Sequence, residues 1–302
     1  MNGIRQVTDR IAAVCCASLL LLSLATAPVW GAASSSRLCP DCAAWNQPHK
    51  PFRIYGNTWY VGTQGLSSIL ITSDYGHVLI DGGLPESAPL IRANIEALGF
   101  RITDVKAIVN SHPHFDHAGG IAELQRLSAA QVFALRPAEP VLRTGKLAPD
   151  DPQSGRKTPA IAPVPRVWIV QDDQLLGVGA VRLRVIATPG HAPGGTSWSW
   201  ESCEGGKCLA FLYADSLTAA AAGKYRFKDH PGVLQDFETS FRRVEAAACD
   251  VLLTPHPEAS QLLQRLDPEG GARPGDIKDD AACKRYAQQA REALAKHLAG
   301  EG

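Results

Sequence analysis

The sequence predicts an α/β domain in which β-sheets are covered by helices, and three observations predict it. Runs of strand character mix with helical segments in both halves of the chain. About 270 residues follow an apolar N-terminal stretch, enough for one large core without a second. Three of the strand runs stop at turns that carry histidine, the way a rigid scaffold presents ligands at one edge.

The chain opens with Arg5 and Arg10 around a short polar start, then runs apolar from Ile11 to Ala27 and reaches the small residues Gly31, Ala32 and Ala33. This is the anatomy of an export signal, and it predicts residues 1–33 as a cleaved leader and 34–302 as a single domain. A retained anchor is the alternative, although the run is short for spanning a bilayer. After it, "FRIYG", "TWYVG", "SSILITS" and "HVLIDGG" read as strands between Gly-rich turns. A helix follows Pro85, with Leu90, Ile91, Ile95 and Leu98 as its apolar stripe and Gly99 as its end. "DVKAIVNS" reads as a short buried strand and "GGIAELQRLS" as a helix. The stretch "TGKLAPDDPQSGRKTPAIAPVPR" reads as a long loop, of a length that is commonly functional. Strand signals return in "VRLRVIATPG", "TSWSWES" and "CLAFLYADS". A helix over "LQDFETSFRRVEAA", the strand "DVLLTPH" and a helix over "CKRYAQQAREALAKHL" complete the chain.

Equal numbers of acidic and basic residues, 30 of each, leave no net charge. That gives no support for nucleic acid or an anionic membrane as partner. No later apolar run approaches membrane-spanning length, so the expectation is a periplasmic monomer without stable membrane association. Cysteine usage agrees with export. Cys15 and Cys16 leave with the leader, and Cys39, Cys42, Cys203, Cys208, Cys249 and Cys283 remain. The spacing of "CEGGKC" favours a Cys203–Cys208 bridge across a turn between strands. Cys249, opening a strand, and Cys283, in a late helix, are the preferred second pair and Cys39–Cys42 then follows by elimination, although six cysteines permit about 15 pairings and the sequence alone does not choose among them. "CPDC" also fits a redox or zinc pair.

The densest chemistry lies in "NSHPHFDHAGG", where His112, His114, Asp116 and His117 crowd together. Three imidazoles and a carboxylate so close have little structural purpose and point to metal. "TPGHAPGG" adds His191 and "TPHP" adds His256. Six ligands divide into two sets of three, and two metals about 3.5–4 Å apart can share and activate a water. Nitrogen and carboxylate donors suit zinc, and iron or manganese fit the same chemistry. His49, His77, His230 and His297 have no comparable context and are expected to be structural.

"HPHFDH" matches H-x-H-x-D-H, and with "LIDGG", "TPGHAPGG" and "TPHP" the chain resembles the metallo-β-lactamase superfamily from about Phe52 to its final helix. The resemblance implies an αββα sandwich, two β-sheets flanked by helices, with two metals at one edge. "YGNTWYVGT", "GHAPGGTSWSW", "CEGGKC" and "YADSLTA" resemble the third subclass of class B β-lactamases, the dizinc type with histidine-rich ligands. Carried over, His112, His114 and His191 hold one zinc and Asp116, His117 and His256 the other. Asp116 orients a zinc-bound hydroxide toward the β-lactam carbonyl. Ser216 and Thr218 bind the substrate carboxylate, and Gln153 touches substrate from the long loop. Asp81 supports a ligand or the cluster loop from behind. Asp215 stands next to Ser216 and is read as not ligating, whereas bridging metals would favour a lactonase or thioesterase. Trp59 and Phe115 are candidate pocket walls, with core packing the expected role. The implied function is a secreted β-lactamase conferring resistance to β-lactams, carbapenems included. A secreted dizinc lactonase or thioesterase, or a zinc-binding module without catalysis, stands as the alternative.

Overall fold

The computed structural model describes residues 38–267, 269 and 277–301. The expected leader, with Cys15 and Cys16, lies outside the described residues. Strands β1 (Phe52–Tyr55), β2 (Thr58–Tyr60), β3 (Ile69–Ile71) and β4 (His77–Ile80) pair antiparallel in chain order. β5 (Val105–Val109), β6 (Gln131–Leu135) and β7 (Val167–Val170) then add in parallel, completing a 7-stranded sheet. The second sheet has 5 strands in the order β12-β11-β10-β9-β8. Its members are β8 (Leu175–Val178), β9 (Val181–Ala187), β10 (Thr196–Glu204), β11 (Lys207–Tyr213) and β12 (Val251–Leu253). All are antiparallel except the β11–β12 pair. The helices are α1 (Cys42–Trp45), α2 (Ala88–Ala97), α3 (Phe115–Ala118), α4 (Ile121–Ser128), α5 (Glu139–Thr144), α6 (Pro231–Ala246), α7 (Leu262–Leu266) and α8 (Ala282–Gly300).

The sequence shows why four layers form. Along β3, β4 and β5, alternate residues belong to different cores. Ile69, Ile71, Val78, Ile80 and Val109 pack toward the second sheet, together with Val185, Trp198, Phe211 and Leu253. Their neighbours Leu70, Leu79 and Ile108 pack instead with Ile91 and Ile95 of α2 and Leu124 of α4. A strand buried on both faces must be apolar at every position, which is why these runs read as continuous. On the far side Leu212 and Leu252 meet Phe237 and Phe241 of α6 and Tyr286 of α8. The order is therefore helix, sheet, sheet, helix: the metallo-β-lactamase fold that the motifs implied. Truncating a fully buried member such as Leu79 to Ala costs about 2–5 kcal/mol.

Several elements differ from the sequence expectation. β7 and β8 were not anticipated, because a half-exposed edge strand carries weak alternation. β6 and α5 were likewise unassigned. Asp116 and His117 stand in the short helix α3, an element that was also unassigned. The structure pairs Cys203 with Cys208, Cys249 with Cys283, and Cys39 with Cys42. Cys203 and Cys208 are opposite each other in the β10–β11 register, so the bridge crosses that hairpin. Among the described residues no helix is long and apolar enough to cross a membrane.

Candidate metal centre

Strand direction gathers the site. β4, β5, β9, β11 and β12 all run toward one edge of the sandwich. The residues just past their ends are Asp81, His112, His191, Asp215 and His256 respectively. Asp81, at φ 62, anchors the arrangement. Its carboxylate accepts from Ser111 N and Ser111 Oγ at 2.7 Å, Asn110 Nδ2 at 3.0 Å and Tyr213 Oη at 2.8 Å. One side chain thus joins the start of the His112 loop to the second sheet. Burial raises its pKa to about 6, against the opposing pull of those hydrogen bonds.

Each ring of the first three histidines has one nitrogen occupied from behind. His112 Nδ1 lies 2.7 Å from Asp215 Oδ1, and His114 Nε2 lies 2.9 Å from Asp151 Oδ2. His191 Nδ1 donates to the Thr218 carbonyl at 2.8 Å. This leaves His112 Nε2, His114 Nδ1 and His191 Nε2 as the available ligand atoms. Gly195 makes room for the first of these pairs, since a Cβ there would meet Asp215 Oδ2 at 2.6 Å. On the other side, Asp116 Oδ2 approaches His256 Nε2 at 3.4 Å and His117 Nε2 at 3.5 Å.

Two ligand groups result. Donor atoms of His112, His114 and His191 all lie within 4.8 Å of one another, and so do those of His112, Asp116 and His117. His112 therefore stands between the two groups, and His256 joins the second through Asp116. Buried His112 Nε2, the nitrogen that its contact with Asp215 leaves over, has no hydrogen-bond partner among the described residues. An unsatisfied buried nitrogen is costly unless a cation fills its place, so the residues fit a pair of metal ions.

The electrostatics suit deprotonated ligands. Burial, reinforced by the facing imidazoles, holds His112 well below its ordinary value. Burial likewise takes His117 down to about 3 and His191 to about 4, so both are neutral and coordination-ready at pH 7. Burial alone would raise Asp116, but the rings of His117 and His256 outweigh it and hold the carboxyl far below the usual range. Burial drives Asp215 upward.

The centre floors a cavity of about 530 Å³ whose rim carries Trp45, Phe115, Arg156, Ser216 and Thr218. Gln153 reaches in from the long loop, with Nε2 3.4 Å from His114 Nδ1 and 3.5 Å from His191 Nε2. Trp59 is elsewhere, edge-on to Phe100 at 5.2 Å. His49, His77, His230 and His297 are also outside the site; His49 faces Asp267 at 3.3 Å and His230 stacks on Tyr225 at 4.1 Å. Sequence reasoning had no role for Asp151 or Trp45. Both act through contacts distant in sequence, and a "PDDP" loop carries no sign of which acid will face His114. The role of Asp215 behind His112 was likewise not foreseen.

An interleaved histidine–carboxylate centre at the shared edge of two β-sheets defines a metal-dependent protein of the αββα class. The chain belongs to the metallo-beta-lactamase superfamily, whose sequence model matches residues 61–211. Among solved structures, the Rm3 metallo-beta-lactamase is 50% identical with a TM-score of 0.84, over 87% of this chain and 98% of that one. MEM-A1, a subclass B3 metallo-beta-lactamase from a soil metagenome library, is 46% identical with a TM-score of 0.81, over 85% and 98%. MIM-1 from Novosphingobium pentaromativorans is 45% identical with a TM-score of 0.78, over 87% and 97%. A curated relative, the hydroxyacylglutathione hydrolase of Rhodopseudomonas palustris (strain BisB5), is 28% identical over 162 residues, 51% of this chain and 52% of that one. The chain spans about half the length of the curated relatives it matches.

Proposed function

We propose that the protein is a zinc-dependent β-lactamase that opens the β-lactam amide with water. The observation that carries this reading is the centre's ligand set, imidazoles and one carboxylate without thiolate, on a chain 50% identical to the Rm3 metallo-beta-lactamase across 98% of its length. His112, His114 and His191 would hold one zinc, and Asp116, His117 and His256 the other. Two zinc ions so held would supply Lewis acidity and lower the pKa of a water to about 7.

The chain's own residues do the rest. Asp116, kept ionised among imidazoles, accepts a hydrogen bond from the attacking water and directs its lone pair at the lactam carbonyl. Ser216 and Thr218 hydroxyls, on the rim of the cavity, donate to the carboxylate of the bicyclic nucleus. The Gln153 amide covers the centre from the loop and limits bulk water. Attack on the carbonyl and cleavage of the C–N bond consume one water, and the ring nitrogen takes up a proton. Export to a periplasm, by a leader over residues 1–33, accords with the three disulfides and with substrates that act on cell-wall synthesis. Carbapenems belong to the proposed range, and a monomer of residues 34–302 is the proposed form.

The thioesterase alternative is favoured by the hydroxyacylglutathione hydrolase match. It would gain most if Asp215 bridged the metals, yet Asp215 Oδ1 is already engaged with His112 Nδ1 at 2.7 Å. Hydrolysis of a chromogenic cephalosporin, abolished by a chelator and restored by zinc, is the expected result. Efficient turnover of an acyl-thioester or a lactone with no β-lactam turnover would sink the proposal.

A further inference from the structure

The loop 145–161 lies beside the metal centre and closes on itself. Gly145 adopts φ +70, and a Cβ there would meet the Ile161 carbonyl at 2.2 Å, so glycine lets the two ends approach. Within the loop, Asp151 N donates to Ala148 O, Ser154 N to Asp151 O, and Arg156 N to Gln153 O. Ala222 N donates to the Pro152 carbonyl at 3.0 Å and ties the loop to the segment beyond Thr218. The carboxylate of Asp151 is consumed by His114 Nε2 and by the backbone N–H of Gln153.

Under this loop is a second cavity of about 240 Å³. It shares His114, Phe115, Gln153 and Arg156 with the main cavity, and it adds Lys146 and Thr158. No acidic residue lines it. Lys146 and Arg156 are exposed, and neither meets a carboxylate among the described residues. The one polar contact recorded for the Arg156 side chain is an approach to Gln153 Oε1 at 3.5 Å. Arg243, Arg285 and Arg291, by contrast, are each engaged by carboxylates. Two unneutralised cations at a cleft mouth create a local positive potential, and a guanidinium can grip a carboxylate with paired hydrogen bonds.

From this arrangement we infer that the side cavity is a subsite for a negatively charged substituent on the substrate's acyl side chain. The inference rests on the β-lactamase reading above. Lys146 and Arg156 supply the charge, and the Thr158 hydroxyl and Gln153 amide supply neutral donors. The carboxylate of the bicyclic nucleus has its own proposed partners in Ser216 and Thr218, which are absent from this cavity's lining. A second carboxylate therefore meets a separate pair of cations and does not compete for the first site.

The test compares two penicillins that share a nucleus, one with a benzyl and one with an α-carboxybenzyl side chain, on the zinc-loaded protein. The readout is the ratio of kcat/KM for the dianionic over the monoanionic substrate. Lys146→Gln and Arg156→Gln should each lower that ratio about threefold, and the double variant about tenfold. Added salt should lower the ratio in the wild type and leave it flat in the double variant. Calorimetry on the metal-free protein should show the same charge-selective rise in Kd. An unchanged ratio in the double variant, or an equal loss for both penicillins, overturns the subsite and leaves the hydrolase reading intact. A wild type that turns over neither penicillin overturns that reading and the subsite with it.

Discussion

In the half of the metal centre built from His112, His114 and His191, each ring is braced from behind by a different partner. Asp215, Asp151 and the Thr218 carbonyl come from three separate segments and fix one nitrogen apiece. The half around Asp116, His117 and His256 is built otherwise. His117 Nδ1 is buried without a partner among the described residues, and the His256 side chain is 31% exposed, tilted against Trp45 with ring centroids 5.0 Å apart. Asp116 Oδ2 lies between its two histidines, whose rings also meet edge-on at 4.9 Å. A braced ligand loses little freedom when a metal binds, whereas an unbraced one must be ordered at that moment. The comparison teaches that one half is organised in advance, whereas the other would be completed by a bound metal.

The largest effect should come from the residue that holds the loose half together. Asp116→Asn removes its only negative charge and should lower kcat/KM about a thousandfold, with less than two zincs per chain by metal analysis. Next, Asp151→Asn unbraces His114 and should weaken zinc at the rigid half about 10–100-fold, measured by competition with a chromogenic chelator. Should Asp151→Asn instead release the other zinc first, the comparison fails. Limiting chelator on the wild type should strip one zinc well before the second, and imidazole signals of His117 and His256 should be the ones that change.

Acid should expose the cost of burying these rings. In the metal-free protein His191 titrates near 4 and His117 near 3, both below the ordinary value of 6.5. The folded chain therefore binds fewer protons than the unfolded one below about pH 6.5. Their contribution to stability is full above that pH and is lost as pH falls through 4 and then 3. Asp81 has the opposite sign: raised to about 6, its contribution is full below 3.8 and is lost as pH rises through 6. Melting of the metal-free protein should thus fall as pH drops from 6.5 toward 3, by less than the histidines alone would give. Imidazole titration by NMR checks the individual values. The smallest effect is expected for Trp45→Ala, which removes a wall beside His256 and should raise KM about threefold with little change in kcat.

Much of the site was legible because its ligands cluster. His112, His114, Asp116 and His117 lie in one short stretch, and His191 and His256 follow apolar strand runs that announce an edge. That helices cover the sheets was legible in the mixture of strand and helix runs, whereas the layer order came only from the resemblance that the motifs carry. Edge strands β7 and β8 carried no such pattern, and the short helix α3 hid inside a motif whose residues were read for chemistry. The braces were invisible for a different reason. Asp215 is 103 positions from His112 and Asp151 is 37 from His114, and nothing local marks either acid as a partner.

By itself the sequence determined which side chains can bind metal and which strand ends present them, because both follow from residue type and short-range spacing. Only the tertiary structure decided which nitrogen of each ring is free, which acids stand behind them, and that Lys146 and Arg156 face one cavity. Those are questions of distance between segments remote in the chain, and distance is set by how two sheets pack.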